Sequence, residues 1–220
     1  MIETDRYLSC TEVIDCDSAS IREKARELTE GLITDREKAI ALFYFARDEV
    51  RHNPYAPGQI AENYKASVTL AKGNGHCQHK AVVLVALCRA AGIPARLGYV
   101  DMLDHLLSPK FRKMIGGGNL LILHGYAEIY IDGRWIHASP AYDLDTCSKG
   151  GFVPVEFDGI VDARDSQYDT SGNPHIEHVK DHGPYEDMPL EFLLKYCEDW
   201  VTGDGMDWAE FNANVRRNHR

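Results

Sequence analysis

The sequence has no apolar run near the roughly 18 residues needed to cross a bilayer, so no membrane-spanning helix is expected. It has no Cys-x-x-Cys pair either. Its six cysteines, at positions 10, 16, 77, 88, 147 and 197, are scattered. That scatter argues against a structural zinc site built from thiolates. The opening Met1-Ile2-Glu3-Thr4-Asp5 lacks the basic start and apolar stretch of a secretory leader. The expected location is therefore cytoplasmic, and the cysteines read as free thiols rather than as a disulfide framework. Positive charge is in short supply: 24 Lys and Arg against 34 Asp and Glu leave a net charge of -10. Such a balance predicts neither nucleic acid nor a membrane surface as partner. Internal repeats and low-complexity tracts are missing as well.

What is present suits an ordinary globular domain: 220 residues, 44% hydrophobic and 26% charged. The first third reads helical. Ser20 and Glu23 have capping-box spacing ahead of a mixed-charge run that ends near Gly31, and Thr34 with Glu37 repeats the spacing. Ile40, Phe43, Tyr44, Arg47 and Val50 then fall at helical intervals, predicting an amphipathic helix of about 16 residues. Gly73-Asn-Gly75 opens a third helix, whose run Ala81-Val-Val-Leu-Val-Ala-Leu-Cys88 is apolar all round and so enclosed by the fold. Gly92 and Pro94 stop it.

Ala95 to Val100 reads as a strand. The stretch Leu103 to Asn119 reads as an excursion of the kind that borders a site. Tyr126-Ala-Glu-Ile-Tyr-Ile131 and Arg134-Trp-Ile-His-Ala-Ser139 flank Asp132-Gly133, a strong two-residue hairpin turn. Residues 150 to 188 have little periodicity and predict an irregular wrap, and Pro189 to Cys197 a last short helix. Helices first and strands afterwards indicate an α+β fold.

One cysteine has a chemically distinctive address. Cys77 stands at the entrance of the enclosed helix, where unpaired N–H groups and the helix dipole lower a thiol's pKa and can hold an oxyanion. Cys88 and Cys197 sit inside or late in helices, where cysteine is usually an inert hydrophobe. His76, Cys77 and His79 are close in sequence, but on a helix they point in different directions, so no metal site is expected. A thiol nucleophile needs a base, and His124, at the start of a strand that should be central, is the candidate among ten histidines.

Three blocks in order strengthen that pairing. Gly75-His-Cys77-Gln-His-Lys-Ala81, running on to Leu87-Cys-Arg-Ala-Ala-Gly-Ile-Pro-Ala-Arg96, resembles the nucleophile block of the transglutaminase-like superfamily. His124-Gly-Tyr-Ala-Glu-Ile-Tyr-Ile-Asp-Gly-Arg-Trp135 resembles the family's second block, and Arg47-Asp-Glu-Val50 its lead-in. The likeness covers roughly residues 35 to 145. It implies a papain-like core in which a buried helix carrying Cys77 packs on an antiparallel sheet carrying His124. It also implies one domain over 1–220, with N-terminal helices at 18–50 and a C-terminal wrap and short helix at 150–220. The implied chemistry is acyl transfer from a peptide or carboxamide through a thioester, with no cofactor and no metal. Hydrolysis is expected ahead of amine transfer. The alternative is an inactive binding module.

The third catalytic residue departs from the pattern. The family places an aspartate directly before a proline on the second hairpin strand, and here that position is Ser139, before Pro140. Strand pairing across the turn leaves Ser139 diagonal to His124. Asp143 is the nearest downstream carboxylate, about 13 Å further along an extended strand, and serves only if the chain turns back. Asp143 is held ahead of Ser139 as the third member. Gln59, upstream of the nucleophile, is an oxyanion-donor candidate by analogy with papain-like enzymes.

Overall fold

The computed structural model describes residues 4–58, 60–115, 117–191 and 193. Helices α1 (Ala19–Thr29) and α2 (Asp35–Asp48) come first. Strand β1 (Arg51–His52), helices α3 (Ala61–Tyr64) and α4 (Ala66–Lys72) and strand β2 (Asn74–Gly75) lead into α5 (Cys77–Ala90). Strand β3 (Ala95–Asp104), helix α6 (Pro109–Met114), strands β4 (Leu120–Ile131) and β5 (Arg134–Ala138), helix α7 (Leu144–Gly150) and strand β6 (Ile176–Tyr185) complete the order. Strands β1 and β2 form a small parallel pair; the main sheet is antiparallel, in the order β5-β4-β3-β6. The fold is α+β, with the Cys77 helix laid on the sheet that carries His124.

Helix α5 is the centre of the molecule. Val82 to Cys88 have no exposed surface, because α1, α2 and α4 pack on one side and β3 and β4 on the other. A helix apolar on every side has no solvent face to satisfy, so it ends up enclosed. Lys80, on the same helix, is also fully buried and donates through Nζ to the Arg47 carbonyl at 2.8 Å, tying α5 to the end of α2.

The caps follow the sequence in one case and shift in the other. Thr34 and Glu37 form the full reciprocal capping box of α2. Helix α1 starts earlier than its spacing suggested: Ser18, not Ser20, is the N-cap, and its side chain makes no cap bond. Thr34→Ala should cost about 1 kcal/mol, read as a melting-temperature drop of about 2–4 °C in a chain of this length.

At the hairpin, Asp132 and Gly133 both take left-handed dihedrals, with φ of 51° and 84°. That turn matches the twist of the flanking strands and fixes the register at Ala127 opposite Ala138.

Two expectations need correction. Cys10 and Cys16 are joined by a disulfide, whereas Cys77, Cys88 and Cys147 are free. A tight turn in which Thr11 N–H and Cys16 N–H both donate to the Ile14 carbonyl brings the two ends together, with Cα atoms 5.2 Å apart. Cys197 lies outside the described residues, as does most of the expected last helix. Finally, the wrap is irregular only to residue 175; β6 then pairs with β3 as an edge strand. Six of its ten residues are exposed, five of them in a row, so it lacks the alternation that marks a half-buried strand.

Candidate active site

Cys77 is the first residue of α5, and the N-cap before it, His76, places no side-chain acceptor on the first turn. The helix dipole points at the thiol. His124 is 4% exposed and sits on β4 opposite Val100. The thiol and the imidazole face each other closely enough that each shifts the other's titration.

A β-bulge just before His124 aims it. Between Val100 and Met102 on β3, strand β4 carries one extra residue, since Val100 faces His124 and Met102 faces Leu121. Leu123 takes a φ of 57°, a left-handed conformation that is costly for a leucine. Its two backbone groups are held from opposite sides: its N–H donates to Asp101 Oδ1 at 3.0 Å, and its carbonyl accepts from Gln78 Nε2 at 2.8 Å. Gln78 adjoins Cys77, so one side chain ties the nucleophile's helix turn to the strand residue preceding the base. Gly125 completes the fit. A Cβ there would lie 2.8 Å from the Gln78 Cα, closer than packed atoms approach.

The carboxylate on the far side of His124 is Asp165. His124 Nε2 lies 3.2 Å from Asp165 Oδ2, both side chains being at most 5% exposed, which leaves Nδ1 for the thiol. Ser139 Oγ donates to the same carboxylate oxygen at 2.6 Å. Asp165 reaches this point because residues 161–165 run parallel to the end of β5. Ala163 N–H donates to the His137 carbonyl, Ser139 N–H to the Ala163 carbonyl, and Ala163 pairs with Ala138. Ser139 thus occupies the expected place beside the imidazole but holds the carboxylate rather than supplying it.

Asp143 does not fill the role expected of it. After Pro140 the chain enters α7 instead of folding back on His124. The Asp143 carboxylate caps that helix, accepting from Thr146 N–H at 2.9 Å, and takes the His52 N–H at 2.6 Å. Gln59 lies outside the described residues. The N–H groups of Gly125 and Gln78 donate to the Cys77 sulfur.

Electrostatics follow from this arrangement. Burial alone would push the Cys77 thiol up, but the charge and hydrogen bond of His124 and the N–H groups of Gly125 and Gln78 outweigh it, and the pKa is lowered. Burial would likewise push His124 down; the thiolate on one side and Asp165 on the other drive it well above the ordinary histidine value. Asp165, despite burial, is held at about 2 by His124 and by Ser139. The three groups favour a thiolate–imidazolium pair backed by a carboxylate. Cys88, deeper on α5, is pushed up by burial and has no such partners.

The thiol opens into a cavity of about 590 Å³, bordered by the loop after β1, the start of α5, the α6 excursion and the first half of β4. The expectation that 103–119 borders the site is met, with α6 forming one wall. Among the described residues, no three His, Cys, Asp or Glu side chains converge as a metal-holding group.

Sequence reasoning missed Asp165. The segment Val161-Asp-Ala-Arg-Asp165 matches no motif and sits 41 residues beyond His124. The available signal was indirect: a serine before Pro140 leaves a buried imidazole wanting a carboxylate, and the acidic wrap was the place to look for one.

The model of the transglutaminase-like superfamily matches residues 22–140, a span that includes Cys77, His124 and Ser139 and stops short of Asp165. No curated protein matches the sequence. A candidate cysteine protease from Cytophaga hutchinsonii is similar in structure, with a TM-score of 0.50 and 17% identity over 84% of this chain and 55% of that one. The periplasmic domain of TgpA from Pseudomonas aeruginosa is a more distant likeness, with a TM-score of 0.39 and 22% identity over 56% of this chain and 42% of that one. The chain spans about half the length of the Cytophaga protein. With its family model matched over more than half its length, this chain belongs to the transglutaminase-like superfamily.

Proposed function

We propose that the protein is a cysteine acyl-transfer enzyme acting on a peptide or carboxamide carbonyl, with Cys77 as nucleophile, His124 as acid and base, and Asp165 as the carboxylate that orients and charges the imidazole. The observation that carries this reading is the line Cys77–His124–Asp165, a partly exposed thiol backed by a buried imidazole and a buried carboxylate, with the far nitrogen of His124 3.2 Å from the carboxylate.

The steps follow from the groups present. The Cys77 thiolate adds to the carbonyl carbon, and N–H groups at the start of α5 take the developing oxyanion. The His124 imidazolium gives its proton to the leaving nitrogen as the C–N bond breaks, leaving an acyl thioester and an amine or ammonia. Water then attacks the thioester carbonyl, His124 takes its proton, and the thiolate leaves with a free carboxylic acid as product. An amine attacking instead would give transamidation by the same steps. Hydrolysis is the reading we favour, since water is always at hand.

The inactive-module alternative drew its support from the missing aspartate before Pro140, and Asp165 removes that ground. The Cys10–Cys16 disulfide weighs toward an oxidising compartment and against the cytoplasmic location expected from the sequence.

The test is thiol chemistry. Cys77 should react with iodoacetamide near pH 6 at least tenfold faster than a model thiol, because a lowered pKa keeps it ionised where a free thiol is protonated. The site of alkylation is read by peptide mass mapping, and Cys77→Ala should lose the fast phase. A rate no faster than the model thiol's would sink the enzyme reading.

A further inference from the structure

The cavity beside Cys77 has mostly apolar walls. Leu106, Leu107, Phe111, Met114 and Ile115 from the α6 excursion face it, and Phe152 closes the end beyond α7. Phe111 and Ile115 are 8% and 4% exposed, so they are fixed wall rather than loose cover. Across the mouth, Tyr55 meets Phe111 with ring centroids 6.0 Å apart, and Lys110 Nζ lies 4.7 Å from the Tyr55 ring. The excursion and the loop after β1 therefore meet at one edge of the cavity.

Outside the Cys77–His124 pair and the histidines, the acidic and basic residues among the described lining are Asp104 and Lys149. Both are engaged. Asp104 is 1% exposed and accepts from Leu106 N–H at 2.9 Å and Tyr142 O–H at 3.2 Å, with His175 Nε2 at 3.6 Å. Lys149 is paired with Asp145 at 2.6 Å and its side chain is 75% exposed, at the rim. His52 and His76 are held neutral by burial. A charged substrate side chain entering here would lose its water and gain no counter-ion, whereas an apolar one would exchange water for Leu, Met, Phe and Ile surface. About 590 Å³ is the size of a specific ligand site and holds far more than a methyl group.

From the apolar walls, the engaged charges and the opening of the thiol into the cavity, we infer that the acyl donor carries a large uncharged side chain, aromatic or branched aliphatic, next to the carbonyl that Cys77 attacks. This inference rests on the acyl-transfer reading and names the substrate class for it.

The experiment uses tripeptide chloromethyl ketones, Ala-Ala-Xaa, in which the Cys77 sulfur bonds to the methylene carbon and chloride leaves. Alkylation of the full chain is followed by intact mass, with iodoacetamide run alongside. Phe and Leu at Xaa should react on the order of a hundredfold faster than Ala, with Asp and Lys slower than Ala. Leu107→Lys should raise the Asp reagent relative to Phe by at least tenfold. Because a wall variant can misfold, the wild-type order of reagents decides the matter alone. Fast alkylation that ignores Xaa, or that prefers Asp or Lys, overturns the inference and leaves the nucleophile standing. Alkylation as slow as a model thiol with every reagent, iodoacetamide included, removes both.

Discussion

Asp165→Ala should lower acyl-transfer turnover by about a thousandfold, and Asp165→Asn by less. Removing the carboxylate does two separable things. It takes away the charge that helps hold His124 well above its ordinary pKa, and it takes away the oxygen that fixes the ring with Nδ1 toward the thiol. Asparagine restores an oxygen at the same place and can still accept from Ser139, so it rescues orientation but not charge. The pH profile of Cys77 alkylation separates the two. Without the charge, His124 gives up its proton more readily, the ion pair is less populated, and the acid limb moves to higher pH in both variants. Turnover should recover only in the asparagine variant. Asp143→Ala is the comparison: it strips the cap of α7 and the His52 contact, so it should cost about 1–2 kcal/mol of stability while turnover stays within a few-fold. If Asp143→Ala abolished turnover and Asp165→Ala did not, the assignment of the carboxylate would be reversed.

That pair of aspartates marks how far the sequence could be read. Local chemistry was legible. The enclosed helix followed from an apolar run with no polar face, the hairpin from Asp132-Gly133, and the α2 start from Thr34 and Glu37. Cys77 was found because it stands at a helix entrance, and His124 because the block that follows it resembles the family's; the expected strand start is not there, since β4 begins four residues earlier, at Leu120. Asp165 was not, because what brings it to His124 is a parallel bridge between Ala138 and Ala163, a tertiary contact with no periodic trace. The edge strand β6 escaped for the related reason that a strand exposed along most of its length need not alternate. Leu123 is the sharpest case. Nothing about a leucine announces φ of 57°; Asp101 and Gln78 together impose it, and both arrive from other elements.

Gly125→Ala should cut turnover by about a hundredfold through one added methyl group that touches no substrate. The Cβ would lie 2.8 Å from Gln78 Cα and 3.2 Å from Gln78 N, backbone atoms of the second residue of α5. Backbone on an enclosed helix cannot swing aside as a side-chain tip can, so β4 and the start of α5 must part by several tenths of an ångström. That gap opens where geometry matters most, between the residue after Cys77 and the residue after His124. The Gly125 N–H, which donates to the thiol, moves with it. Displacements of about 1 Å in reacting groups cost on the order of a hundredfold in rate, and overpacking of this kind costs about 1–3 kcal/mol in stability. Thr34→Ala separates the two effects, since it should lose a comparable amount of stability at a site on α2 that contacts neither Cys77 nor His124. Thermal melts and iodoacetamide rates at pH 6 for both variants give the answer. Stability should fall in each, whereas the fast alkylation of Cys77 should slow only in Gly125→Ala. Equal alkylation rates in the two variants would mean that the fit of β4 against α5 does not set the reactivity of the thiol.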